Sequence, residues 1–177
     1  MNKLFSKQKL TIALVVGVLI ISVITVQALT TVRLATGIIP SSEVFNGPTE
    51  LTVTHITMQP GDTIPWHYHP GKAYVVLQSG TITEDEGCGG SEVFTTGQAF
   101  EEPIPRVHQV RNTGAIAAEL YVTFLTPSGQ PRTVNTAGPL CGPPKEKNQC
   151  KEDGWMTFNF PRSFENEGDC VSQIQVK

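Results

Sequence analysis

Short runs of alternating apolar and polar residues, each ended by a turn residue, fill the chain from Val32 to Pro127. The run ELTVTHITM ends at Pro60, RVHQVRN ends at Thr113, and AAELYVTFLTP ends at Pro127. Alternation with period two is typical of strands that bury one face, and no helical period of useful length interrupts these runs. We therefore predict an all-β fold, an antiparallel barrel or sandwich over residues 32–127. A length of 177 residues fits one such domain with additional segments.

The N-terminus has the pattern of a secretory signal peptide. Lysines at positions 3, 7 and 9 precede an uncharged apolar segment from Leu10 to Ala28, which ends in the small-residue sequence VQA. This pattern predicts cleavage after Ala28. The apolar segment is also nearly long enough to span a bilayer, so a retained membrane anchor is the alternative for residues 1–28. In either case we expect the remaining chain outside the cytoplasm, in a secreted or periplasmic protein.

Charge argues against one class of partner. The formal net charge is −3 and the sequence pI is about 5.8. Lysines and arginines are dispersed, and no basic stripe carries interleaved aromatic residues. Nucleic-acid binding relies on clustered positive charge, so we expect no nucleic-acid partner.

The cysteines indicate disulfides. There are four of them, and none lies in a C-x-x-C pair typical of zinc or redox sites. An even count in an exported chain favours two disulfides, for which three pairings are open. Cys150 and Cys170 bracket aromatic residues in a tail too short for its own core, so we expect them to pair. That choice leaves Cys88 to pair with Cys141.

Residues 128–177 differ in character from the β-rich region. A Pro- and Gly-rich arm leads into CKEDGWMTFNFPRSFENEGDCVS. This tail resembles a cysteine-bounded segment found at the C-terminus of many exported bacterial proteins of unrelated function, although Asp153 stands where a second Gly is usual. The resemblance implies an extracytoplasmic location and says nothing about a reaction.

Two stretches of the β-rich region share a histidine-centred spacing. In the first, Gly61 is followed after five residues by His67-Tyr68-His69, and the stretch closes at Gly80. In the second, Gly97, Pro103, His108 and Asn112 are separated by five, four and three residues. Together the stretches resemble the paired motifs of the cupin superfamily, with Pro105 replacing a Gly of the second motif. The resemblance covers roughly residues 51–127.

The resemblance implies a jelly-roll β-barrel with inward-facing histidines that bind one divalent metal ion. His67 and His69 share a strand face by alternation, and a closed barrel can bring His108 opposite them. Neutral imidazoles suit Fe, Mn, Zn, Ni or Cu, so the sequence leaves the identity of the ion open.

Ala73 departs from the motif, because it stands where the family places a glutamate ligand. Three neutral ligands would leave the ion its full charge and open positions, which favours an anionic ligand. Glu101 and Glu102 lie in the second motif and could reach the metal, although neither is at a family ligand position. The alternative is that the loss of the glutamate marks a barrel without metal.

The family resemblance leads to two functional hypotheses. The first is a metal-dependent enzyme, dioxygenase-like, that acts on a small organic acid or enol; the second is a non-catalytic module that binds a carbohydrate or another small molecule. His55 would be a candidate base or hydrogen-bond donor if its strand face points inward, and a packed or surface histidine otherwise. The expected partners are a small, anionic molecule and, if the chain self-associates, a second copy in a homodimer.

Overall fold

The computed structural model describes residues 29–102, 104–160 and 162–174; the segment expected to act as signal peptide or anchor, residues 1–28, lies outside them. Two short 3₁₀ helices, Lys147–Cys150 and Gly154–Thr157, and one α-helix, α1 (Glu167–Ser172), lie in the C-terminal part. Within the described ranges no helix is long and apolar enough to cross a membrane. The strands are β1 (Thr30–Ser42), β2 (Gly47–Met58), β3 (Thr63–Tyr68), β4 (Lys72–Ser79), β5 (Thr81–Gly87), β6 (Gly90–Thr95), β7 (Ala99–Glu102), β8 (His108–Asn112), β9 (Ala118–Pro127), β10 (Val134–Asn135), β11 (Leu140–Cys141) and β12 (Phe158–Phe160).

Two five-stranded sheets form the domain. Their strand orders are β1-β2-β9-β4-β7 and β10-β3-β8-β5-β6. The pairings within both sheets are antiparallel, which confirms the all-β, antiparallel jelly-roll prediction. The non-consecutive neighbours arise because the chain crosses repeatedly from one sheet to the other, and this crossing places residues distant in sequence around one interior.

Alternate residues of the central strands contribute to the core between the sheets. In β4 and β9 buried side chains alternate with exposed or half-buried ones, as the sequence pattern predicts. Each large apolar side chain buried in this way contributes about 1.5–3 kcal/mol relative to an exposed one. The buried apolar residues of this core are Ile56, Met58, Ala73, Val75, Leu77, Ile82, Phe94, Val110, Ala118, Leu120, Val122 and Phe124.

Two residues of the histidine motifs, Gly80 and Asn112, have structural roles in the backbone. Gly80, between β4 and β5, has a φ of 89°, and a Cβ there would lie 2.7 Å from the Cα of Ala118. Only glycine fits that approach. The side-chain amide of Asn112 donates to the carbonyl oxygens of Met58 (2.8 Å) and Ile116 (2.9 Å), which fixes the loop before β9.

The two disulfides have the expected pairing. Cys88 is bonded to Cys141, which ties the β5–β6 turn to β11. Cys150 is bonded to Cys170, and this bond closes a second, smaller core around two phenylalanines whose ring centroids are 5.4 Å apart. The disulfide therefore supports a tail that has little apolar core of its own.

The tail and the arm are both attached to the barrel next to the histidines. The Asn159 side chain accepts from the backbone N–H of Val107 (3.1 Å) and donates to its carbonyl (2.6 Å), one residue before His108. In the arm, Val134 and Asn135 of β10 pair with Tyr68 and His67 of β3. This pairing carries residues 130–133 to the edge of the barrel interior.

Candidate metal centre

Three histidines meet inside the barrel. His67 lies in β3 directly opposite His108 of β8, and His69 follows β3 by one residue. The ring centroids of His67 and His108 are 4.3 Å apart, and His69 lies 4.9 Å and 5.3 Å from them. All three side chains are buried, and their possible ligand atoms lie within 4.8 Å of one another. The structure thus brings together the three residues that the sequence nominated as metal ligands.

In each of the three histidines, Nδ1 is hydrogen-bonded to a backbone carbonyl. Nδ1 of His67 donates to the carbonyl of Pro65 (2.7 Å), Nδ1 of His69 to that of Arg132 (2.6 Å), and Nδ1 of His108 to that of Arg106 (2.9 Å). A carbonyl oxygen only accepts, so each Nδ1 carries a hydrogen and each Nε2 is the ring atom left to bind a metal when the ring is neutral. This backbone support is the arrangement that orients histidines toward a metal.

A carboxylate faces the same point. Glu102, at the end of β7, is buried, and its carboxylate oxygens lie 2.9 Å from Nε2 of His69 and 3.5 Å from Nε2 of His108. In the β4–β7 ladder Glu102 lies directly opposite Ala73. Side chains of directly opposed residues share a sheet face, so Glu102 occupies the space beside the small Ala73 side chain.

Two buried polar atoms at this point have no hydrogen-bond partner among the described residues. They are Oε2 of Glu102 and Nε2 of His108. The 2.9 Å approach of Glu102 to His69 is close but not aligned as a hydrogen bond. Because buried polar groups almost always find a partner, these atoms fit a cation placed between them, which would take the place of the proton on His108. The donor set, three imidazole nitrogens and one carboxylate oxygen, suits a first-row divalent metal.

The site's electrostatics follow from burial and from this carboxylate. Burial lowers the pKa of His67 to about 4, with His108 and His69 adding to the effect, so this ring is neutral at pH 7. Burial opposes protonation of His108, but Glu102 outweighs it and raises the pKa of His108 to about 9. Burial would raise the pKa of Glu102, but His108 and His69 hold that pKa far below its usual range. In the metal-free protein a proton therefore balances the charge of Glu102.

The presence of Glu102 corrects the expectation of three neutral ligands without a carboxylate. The two adjacent glutamates that the sequence left undecided are separated by strand alternation. Glu101 points to the outside, where it pairs with Lys72 at 2.6 Å, while Glu102 points to the histidines. No spacing in the sequence indicates which strand lies beside Ala73, so the register of β4 and β7 was needed to identify Glu102.

His55 lies outside this site, which agrees with the alternative of a packed or surface histidine. Its Nε2 contacts the Glu119 carboxylate, and its ring stacks on Tyr121 with ring centroids 4.8 Å apart. Its neighbour Ile56 points into the core and lines the cavity, so alternation turns His55 to the opposite face of the sheet.

A cavity of about 580 Å³ opens beside the histidines. Its size is in the range of pockets that hold small organic molecules. His67, His69 and Glu102 lie on its wall, and Arg33 and Arg132 also line it. Arg132 comes from the arm, a segment in which the sequence pattern indicated no functional residue. The apolar part of the wall includes Ile56, Ile64, Val75, Leu120, Val122 and Phe124.

Comparisons with known proteins give a family match and several similar solved structures. Residues 54–124 match the family described as Cupin domain. Similar solved structures include a cupin superfamily protein from Desulfitobacterium hafniense, with 10% identity, 56% of this chain and 78% of that chain covered, and a TM-score of 0.44. The Cnp3 cupin domain of Schizosaccharomyces pombe has 18% identity, coverages of 58% and 67%, and a TM-score of 0.47.

A recombinant oxalate oxidase in complex with glycolate is also similar, with 24% identity, coverages of 48% and 45%, and a TM-score of 0.41. The comparison with curated proteins gives no match. The matched family segment contains all three histidines and Glu102 and extends from β2 into β9. The chain therefore carries a cupin domain over residues 54–124.

Proposed function

We propose that this protein is an exported cupin that binds one divalent metal ion through His67, His69 and His108, with Glu102 as a fourth ligand. The observation that carries the proposal is the cluster of three buried histidines, each held at Nδ1 by a backbone carbonyl, next to Glu102, whose Oε2 has no hydrogen-bond partner among the described residues. A cation would satisfy these atoms together. Fe, Mn, Zn, Ni and Cu all suit this donor set.

We further propose a metal-dependent, dioxygenase-like reaction on a small organic acid or enol. When bound, the metal would supply Lewis-acid or redox chemistry at substrate oxygens. The chain itself supplies the enclosure, because the apolar walls exclude water and strengthen electrostatic contacts with a bound molecule.

The proposed location outside the cytoplasm is supported by the two disulfides, which persist in oxidising compartments. The pattern of residues 1–28 is consistent with export. N-terminal sequencing of the native protein tests this part directly: a start near Leu29 is expected, and an intact Met1 in a membrane fraction would support an anchor instead.

Metal titration after chelator treatment tests the metal site. Wild type should bind one equivalent at micromolar concentration or below, and His67→Ala should lose that binding. His55→Ala is the matched control, because His55 lies on the outer face of the same barrel and should leave metal affinity unchanged. If wild type binds none of the five ions, or if both variants behave alike, the metal-site proposal is wrong.

Turnover is tested separately. Dioxygen uptake by the metal-loaded protein is measured with a panel of small organic acids and enols, each with and without chelator. Chelator-sensitive uptake with at least one compound is expected. Metal binding without any turnover across the panel would favour the binding-module hypothesis.

A further inference from the structure

We propose that Arg132, supported by Arg33, recognises the carboxylate of an amphipathic organic acid whose apolar body fills the cavity. This inference rests on the proposed function only in that it concerns the same cavity. It names the class of ligand and the side chains that select it, and both can be tested without metal.

The arm holds Arg132 in place. The N–H of Thr136 donates to the carbonyl of Trp66 (2.9 Å), and β10 pairs with β3, so the arm runs along the sheet edge. The backbone carbonyl of Arg132 accepts the hydrogen of Nδ1 of His69. Residue 132 therefore stands directly behind one of the histidines, and its side chain lines the cavity.

The Arg132 guanidinium rests on an aromatic ring. Its Cζ lies 5.8 Å from the ring centroid of Phe124, and that ring lies 5.3 Å from the ring of His69. Stacking on an aromatic face restrains a guanidinium while leaving its N–H donors free. A restrained arginine loses little freedom when it binds a carboxylate bidentately.

The arginines of the chain fall into two groups. Of the five, three form an ion pair: Arg106 with Glu86, Arg111 with Asp85, and Arg162 with Asp169. Arg33 and Arg132 form none with the residues that the structure describes, and these two are the arginines that line the cavity. Unpaired guanidinium groups at a cavity wall select an anion.

The other lining residues indicate the chemical character of the ligand beyond its carboxylate. About half of the lining residues are aliphatic or aromatic, so a ligand that fills the cavity must present an apolar surface to that part of the wall. Two carboxylates also line the cavity: Glu102 faces the histidines, and Glu50 accepts a hydrogen bond from the hydroxyl of Thr52 at 2.9 Å. Neither is paired with an arginine, which leaves both guanidinium groups available to the ligand.

Matched pairs of probes test the proposal. Octanoate and octanamide share one apolar body and differ in the charge of the head group, and calorimetric titration compares their affinities. Wild type should bind octanoate at least about 10-fold more tightly than octanamide, a difference typical of charge-assisted hydrogen bonds. Arg132→Gln should abolish most of that preference while leaving octanamide binding unchanged. Arg111→Gln, at a paired arginine outside the cavity, is the control and should behave as wild type.

The outcomes separate this proposal from the metal site. Each titration is run on chelator-treated protein and on protein loaded with Mn²⁺, and the Mn²⁺ affinity of Arg132→Gln is measured in parallel. That affinity should equal the wild-type value, because the hydrogen bond from His69 is accepted by the backbone carbonyl of residue 132, which the substitution keeps. Preference for octanoate in a protein that binds no metal would uphold this inference and defeat the metal proposal. Equal binding of both probes by wild type, binding of neither, or an Arg132→Gln variant that keeps the preference would overturn it.

Discussion

Moving the carboxylate from position 102 to position 73 should preserve the metal site, whereas Glu102→Ala alone should weaken metal binding and Ala73→Glu alone should destabilise the metal-free protein. Ala73 and Glu102 are directly opposed in the β4–β7 ladder, and both side chains are buried on the inner face. Glu102→Ala removes the carboxylate that lies 2.9 Å from Nε2 of His69 and 3.5 Å from Nε2 of His108. Ala73→Glu/Glu102→Ala restores a carboxylate from the neighbouring strand.

The magnitude follows from the charge of the lost group. Two unit charges 4 Å apart attract by about 4 kcal/mol at the effective dielectric of a partly buried site, and desolvation offsets part of this. A net loss of about 3 kcal/mol corresponds to metal affinity weakened on the order of 100-fold. Ala73→Glu alone places a second carboxylate beside Glu102, so it should destabilise the metal-free protein by about 2 kcal/mol or more.

Calorimetric titration with Zn²⁺ or Mn²⁺ after chelator treatment measures the metal affinities of wild type, the two single variants and the double variant. Chemical denaturation measures their stabilities. The double variant should recover affinity to within about 10-fold of wild type. The reasoning is refuted if Glu102→Ala binds metal as wild type does, or if the double variant binds no better than Glu102→Ala while remaining folded.

Two further predictions concern parts of the fold around the site. Burial raises the pKa of Glu84 to about 7, with His108 opposing the effect. The folded metal-free protein therefore holds more protons than the unfolded chain between about pH 4.5 and 7. Its stability falls as the pH rises through that window. Glu84→Gln should therefore raise the free energy of unfolding at pH 8 by at most about 3 kcal/mol and change it little near pH 4, and denaturation curves that coincide with wild type at pH 8 would refute this. Replacing Cys150 and Cys170 by serine should destabilise the tail by about 3 kcal/mol. Hydrogen exchange should become faster around Phe158 and Phe164, while the barrel strands stay protected. Equally faster exchange throughout the barrel would show that the tail is not a separate unit.

The strands and the histidines were predictable because their signals are local. Alternation along β9 records which side chains face the core, and His67 and His69 are one residue apart in the sequence. Glu102 was not predictable in the same way. Its role depends on which strand lies beside Ala73, and the cross-strand register cannot be read from the sequence of either strand alone.

Arg132 was also beyond local reasoning. The arm that carries it has the composition of an irregular connection, which predicts no fixed path. Its position is determined by the short β10–β3 pairing and by the hydrogen bond from His69, both of which are contacts between distant parts of the chain.

Anomalous diffraction from crystals grown with Zn²⁺, recorded at the zinc absorption edge, tests directly whether the three histidines and Glu102 bind a metal ion. We expect one strong peak inside the barrel, about 2.0–2.2 Å from Nε2 of His67, His69 and His108 and from a carboxylate oxygen of Glu102. A barrel interior without an anomalous peak, in which Nε2 of His108 instead donates a well-aligned hydrogen bond to Glu102, would contradict it.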